Sequence, residues 1–342
     1  MKHWLLLMAL SVACTDSKDS GSDTSGPADD PIPDEGDDSG SPEIEEGWGI
    51  LADEIGQGSL LSGWTADGIT HMVGGDMRGG PGLRVQYDGS DLCIEADITE
   101  RALWWIHGDR PGRWVAVGEA GTALMEEDGV RTRIDIPSEA TFYGVWVTDT
   151  SVIAVGGHVD SNIGEVWRHT EDGWTPIRTD LPGSAFKIWE NWIVGVGVSY
   201  QINADHELTD MGNAGRLLTV RGNGELVTAV GGLGSALVMQ HDGSAWSEID
   251  SAGLGQPLNG VWTAPGHDVW VVGNFGATGR LNGGVWDMPD WPVTSHHFHA
   301  VWPHSDNEML FIGGNFMSSA GNFATIGRHG PAMDRPEVRP CE

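Results

Sequence analysis

Four histidines crowd one short stretch: His296, His297 and His299, with His304 close behind. Neutral imidazole is a common ligand for Zn²⁺ or Cu²⁺. In a strand, alternate residues share a face, so His297 and His299 would converge on one ion. The plainer reading is a polar linker whose imidazoles are hydrogen-bonded where they stand. Asp- and Gly-rich turns elsewhere offer oxygens to Ca²⁺, although no single loop matches a calcium motif. Apart from Zn²⁺ or Cu²⁺ at His296, His297 and His299, or Ca²⁺ in a turn, no cofactor is suggested.

Catalytic chemistry finds little purchase. A sialidase-like site needs an arginine cluster, a tyrosine nucleophile and its carboxylate base. Only Tyr87, Tyr143 and Tyr200 are available, none in a recognisable motif. Glycosidases of the common kind use two carboxylates about 5–10 Å apart, and fifty acidic residues supply candidates without singling any out. There is no Gly-x-Ser-x-Gly, no phosphate-cradling loop leading into a helix and no zincin motif. A non-enzymatic protein is expected; a glycan hydrolase or lyase is the catalytic alternative.

The elements that would position any site repeat along the chain. A Gly/apolar-Trp phrase recurs at Trp64, Trp105, Trp146, Trp189, Trp262 and Trp302. An apolar-Gly phrase follows it at Gly74, Gly118, Gly156, Gly197, Gly231, Gly273 and Gly313. A period of roughly 40 residues built from short apolar runs and Gly-rich turns is the signature of a β-propeller. The expected fold is all-β with seven blades, or six if the fourth and fifth repeats form one irregular unit. The sixth repeat is the clearest, with strands expected at Leu258–Trp262, Asp268–Gly273, Ala277–Leu281 and Val285–Asp287. Asp-Gly pairs at 88–89, 128–129, 172–173 and 242–243 suit the tight outer hairpin of a blade. The fourth repeat lacks such a pair, so its polar stretch Ser199–Asn213 reads as a longer loop. The fifth carries Val220 where others carry Trp.

The recurring tryptophans read as wedges between blades, each burying roughly 150–250 Å². Those off register, Trp192 and Trp291 and also Trp114, are the candidates for exposed ligand contact.

The phrase Asn259-Gly260-Val261-Trp262, followed by Asp268-Val269-Trp270-Val271-Val272-Gly273, resembles the repeat of propeller lipoproteins of myxobacterial type. It is also similar to propellers of the BNR and photosystem-II-assembly-factor type. The resemblance spans roughly residues 60–330 and implies a propeller used for binding or scaffolding. A full Asp-box reads Ser-x-Asp-x-Gly-x-Thr-Trp, and this chain has only fragments such as His241–Trp246.

The N-terminus supplies an address. Residues 1–13 read as a signal peptide: Lys2 is the positive region, and Trp4–Leu10 is too short to span a bilayer. Ser11-Val12-Ala13-Cys14 resembles a lipobox, which implies lipidation of Cys14. Thr15 in place of Asp favours the outer over the inner membrane in that family. Residues 14–46 then read as a disordered acidic tether, since residues 15–46 carry twelve acids against Lys18. With the tether's −11 and the +1 of Lys2 removed from the net −32, residues 47–342 carry −22. Such a body repels nucleic acid and does not dock on anionic lipid by charge. The membrane is therefore reached through the lipid anchor alone, and the expected partner is an envelope protein or a polysaccharide. A monomeric propeller over residues 47–331 and a tail over 332–342 complete the layout. Export makes a disulfide plausible between Cys93 and Cys341, clamping the first blade to the last; two free thiols are the alternative.

Overall fold

The computed structural model describes residues 43–251, 253–316 and 322–341. The signal peptide, Cys14 and the tether up to residue 42 lie outside them.

Seven blades, each of four antiparallel strands and the first with a fifth, parallel strand on its outer edge, stand around an axis. Blade 1 holds Ser59–Ala66, Ile69–Gly75, Gly82–Tyr87 and Leu92–Glu95. Blades 2 to 6 begin with the inner strands Leu103–Arg110, Thr141–Val147, Ala185–Trp189, Leu217–Gly222 and Leu258–Trp262. Blade 7 takes three strands from the C-terminal part, His297–Ser305, Glu308–Gly314 and Ala324–Gly330. Its outermost strand is the N-terminal Gly47–Ile55. Each inner strand lies beside the next, and that of blade 7 meets that of blade 1, so the ring closes.

The fourth repeat is a complete blade. Ser199–Ile202 and Leu208–Asp210 pair within the stretch expected to be a loop. Asn203 makes their turn, its Oδ1 accepting from the backbone N–H groups of Asp205 and Glu207. An Asn side chain here does the work that Asp-Gly does in other blades.

A bulge explains the glycine phrase. In every blade the inner pair slips by one residue, between Leu60 and Ser62, Leu103 and Trp105, Phe142 and Gly144, Ala185 and Lys187, Leu217 and Thr219, Leu258 and Gly260, and Phe298 and Ala300. The second strand crosses the start of the first so closely that a Cβ on its glycine would stand 1.8 Å (Gly74) to 2.3 Å (Gly156, Gly273) from a carbonyl oxygen. In blade 4 this glycine is Gly195, 2.0 Å from the Ser184 carbonyl, rather than Gly197, which makes the following turn at φ +69°.

The same bulge corrects the tryptophan register. Three residues beyond it stand Trp64, His107, Trp146, Trp189, Arg221, Trp262 and Trp302. Trp105 therefore lies two residues early, and Arg221 rather than Val220 replaces the fifth tryptophan. The wedge reading has a direct cause in two places: a Cβ on Gly108 would lie 2.4 Å from the Trp64 ring, and one on Gly222 2.3 Å from that of Trp189.

The tail is not loose. Val338–Pro340 adds to the outer edge of blade 1 in parallel with Leu92–Glu95, and Cys341 is disulfide-bonded to Cys93. The chain leaving blade 7 is thereby fastened to blade 1 across the seam. Glu43–Ile44, assigned above to the tether, pairs with Met333–Asp334, and Ile44 is buried.

Candidate binding face

The bulge also makes the candidate site. It turns one residue per blade out of the strand alternation: Leu61, Trp104, Tyr143, Phe186, Leu218, Asn259 and His299. Five of them meet around the axis. Trp104 lies 4.9 Å from Tyr143 and 5.6 Å from His299, ring centroid to ring centroid, and Tyr143 lies 5.0 Å from Phe186. His299 Nδ1–H donates to the carbonyl of Leu61 at 2.6 Å. They form a collar at the channel mouth, on the face where inner strands begin.

Loops of the same face extend the collar outward. Phe316, on the loop after the second strand of blade 7, packs on His299 at 6.3 Å and on His297 at 5.1 Å. His297 lies 4.7 Å from Phe275 of blade 6. An aromatic row thus crosses the face through Phe275, His297, Phe316, His299, Trp104, Tyr143 and Phe186. Trp104, Phe316 and His299 are part-exposed, and Phe275 is 47% exposed. Phe275 also sits at φ +53°, a left-handed conformation rare for an aromatic residue and worth on the order of 1 kcal/mol of strain. Leu233, on the matching loop of blade 5, and Ile163, which opens the third strand of blade 3, add exposed apolar surface.

The residues singled out in the sequence divide. Trp291 is 83% exposed, in the linker that leads into blade 7 on this face, and the adjacent Pro292 lies against Gly276 of the Phe275 loop. Trp192 is not exposed: at 5% it is buried against His241 and Trp246. Trp114 is buried too. Both lie on second strands, which neighbouring strands cover on either side.

The histidines do not share an ion site. His296 Nδ1 is 3.0 Å from Thr325 Oγ1 and 3.3 Å from Asp53 Oδ1. The Phe275 N–H donates to His297 Nδ1 at 3.4 Å. The bulge at His299 breaks the alternation that would have aligned it with His297. Burial holds His297 down to about 4, helped by His296, and His299 down to about 3, helped by Lys187. Among the described residues no three His, Cys, Asp or Glu side chains approach closely enough to hold a metal.

Two groups escaped the sequence reading. Glu119, at the mouth beside blade 3, is 9% exposed, and burial raises it to about 7 against the opposing pull of Arg101. Lys187, one residue past the collar in blade 4, is 3% exposed.

On the opposite face, a cavity of about 660 Å³ opens between blades 6 and 7, lined by Trp262, Trp270, Trp302, His304 and Arg280 among others. Arg280 there is paired with Asp268 at 2.6 Å.

No family model and no curated protein matches the chain. Solved structures do. YCF48 bound to D1 peptide aligns with a TM-score of 0.64 at 12% identity, covering 85% of this chain and 99% of that one. YCF48 from Cyanidioschyzon merolae aligns at 0.60 and 13%, covering 83% and 99%. The WD40 β-propeller domain of Doa1 aligns at 0.56 and 12%, covering 82% and 97%. At such identities the likeness is one of fold, and the fold is a seven-bladed β-propeller.

Proposed function

We propose that this protein is a non-enzymatic binding or scaffold module whose collar face takes an extended segment of a partner protein. The observation that carries the reading is the aromatic row from Phe275 to Phe186. Four of its side chains, Phe275, Phe316, His299 and Trp104, are part-exposed over buried His297, Tyr143 and Phe186, and aromatic contact area backed by a rigid ring comes at low ordering cost, as at protein–protein hot spots. The likeness in fold to a propeller bound to a peptide supports a protein ligand. Charge favours a segment that is basic or neutral, since the body carries −22.

Envelope display belongs to the same proposal. Lipidation at Cys14 would hold the propeller at a membrane, outer in preference to inner, on an acidic tether. Cys14→Ala is then expected to release a soluble, folded protein, and continued membrane retention would reject the anchor.

A photo-crosslinking amino acid placed at Phe275 tests the binding face, with one at Val285, on a hairpin of the opposite face, as control. One protein joined from position 275 and not from 285, and lost in Trp104→Ala, is the expected result. Cross-links from 285 alone, or from neither, would overturn it. A second reading rests on the opposite cavity, whose indoles and paired Arg280 and Asp268 suit a polysaccharide; it predicts saturable glycan binding sensitive to Trp270→Ala.

A further inference from the structure

Two loops on the collar face are copies of one geometry. In Gly118–Gly121 of blade 2 and Gly273–Gly276 of blade 6, the third residues, Ala120 and Phe275, have φ +50° and +53°, and the closing glycines +70° and +73°. In blade 6 the second residue, Asn274, accepts at Oδ1 from the amide of Asn259, the bulge residue of its own blade, at 3.0 Å. Blade 2 has Glu119 in the place of Asn274 and Trp104 in the place of Asn259. Among the described residues, the buried Oε1 of Glu119 has no hydrogen-bond partner.

An unsatisfied buried carboxyl oxygen is costly, the more so when ionised. The charged groups around it do not relieve it. Arg101 pulls in the stabilising direction and Asp76 in the other, but Arg101 is committed to the Gly79 carbonyl at 2.7 Å and Asp76 to Arg78. On the third side stands Tyr143, near enough for Glu119 to help hold its phenol un-ionised. A lone carboxylate near Tyr143, whose ring packs against the Trp104 indole at 4.9 Å, is the combination that recognises an alkylammonium ion, through one charge contact and the π faces. A single carboxylate is too few for a divalent cation.

We propose that Glu119, with Tyr143 near it and the Trp104 indole packed on that ring, receives the ammonium group of a lysine side chain carried by the docked protein segment. This rests on the protein-segment reading above. It gives that segment a sequence requirement: a lysine placed where its chain crosses the axis, with apolar or aromatic residues to either side along the row.

The test uses the full chain and two small probes, n-butylammonium and 1-butanol, with affinities measured by ligand-observed NMR. The amine is expected to bind at least roughly fivefold tighter than the alcohol, a preference of the size such contacts give. Glu119→Gln and Glu119→Asn, the second copying the residue of blade 6, should remove the preference while leaving the alcohol unchanged. In the wild type the preference should grow from about pH 5.5 to about pH 8, as the carboxyl loses its proton. Equal binding of amine and alcohol, or a preference that survives both variants, would overturn the proposal. If that happens while cross-linking from position 275 still joins a partner, only the lysine is rejected; if both fail, so does the face.

Discussion

Arg221 places its guanidinium carbon 4.2 Å from the centroid of the Trp302 indole, reaching from blade 5 past blade 6 to blade 7. Lys187 does the same from blade 4 to blade 2: its Nζ lies 4.1 Å from the Trp105 ring centroid and donates to the Tyr143 carbonyl at 2.5 Å. In a chain of net charge −32, the interior of the ring therefore buries two basic side chains. Burial alone pulls Lys187 well below the ordinary lysine range, and it lowers Arg221 to about 9 with only partial relief from Glu190.

Lys187→Met tests that arrangement. The folded protein binds a proton at Lys187 less readily than the unfolded chain, so wild-type stability should rise with pH towards about 10.5. The variant should lose this slope and, at neutral pH, match or exceed the wild type by about 1–2 kcal/mol. Denaturant midpoints across pH decide it; a clearly weaker variant would mean the ammonium stabilises the ring.

Glu119 has the opposite sign. Its folded value of about 7 lies above the ordinary 4.5, so the native state holds the extra proton between those limits. Wild-type stability should fall as pH rises through that window and level off above it. Glu119→Gln should not follow, and above neutrality it should be the more stable by on the order of 2 kcal/mol. Parallel pH profiles for the two proteins would contradict this.

Loss of the Cys93–Cys341 bond should loosen the tail and spare the ring. The bond spans 248 residues of chain, and Cys93→Ser with Cys341→Ser is expected to cost about 2–5 kcal/mol. Hydrogen exchange should accelerate at Cys341, whose N–H donates to the Ile94 carbonyl at 3.0 Å. Exchange in Gly47–Ile55 should change little, because that strand is held by blade 7; faster exchange there would make the disulfide part of ring closure.

Phe275→Asn separates stability from binding. Asparagine tolerates the left-handed backbone that phenylalanine occupies under strain, so the variant should melt no lower than wild type, and up to a few degrees higher. The cross-linked partner, probed from another position on the row such as Leu233, should be reduced. A fall in melting temperature would mean that the Phe275–His297 contact outweighs the strain.

Much of this was legible before any coordinates. Gly74, Gly118, Gly231, Gly273 and Gly313 mark the inner crossing because no side chain fits there, and such exclusion leaves a regular trace. Blade 6 could be drawn almost strand by strand. What failed was reading phase from residue type where two candidates stand close together: Gly195 beside Gly197, His107 beside Trp105, Arg221 beside Val220. A one-residue bulge changes which of them faces the axis, and nothing in the local composition announces it. The collar was invisible for the same reason. Leu61, Asn259 and His299 have no chemistry in common, only a place. The outer strand of blade 7 was missed because Gly47–Ile55 precedes the first repeat while completing the last.

That strand sets the order in which the molecule can assemble. Its partner, Ala324–Gly330, lies some 270 to 280 positions further along the chain. Until the partner has been made, Gly47–Ile55 has no sheet to join, and blade 1 lacks the neighbour that seals its inner edge. Blades 2 to 6 rest on contacts close in sequence and can form as they emerge. Final closure is a long-range event, of the kind that slows folding and leaves strand edges open to wrong partners. Premature termination anywhere before residue 324 would leave an open crescent with two sticky ends, so the last blade acts as a built-in test that the whole ring has been synthesised.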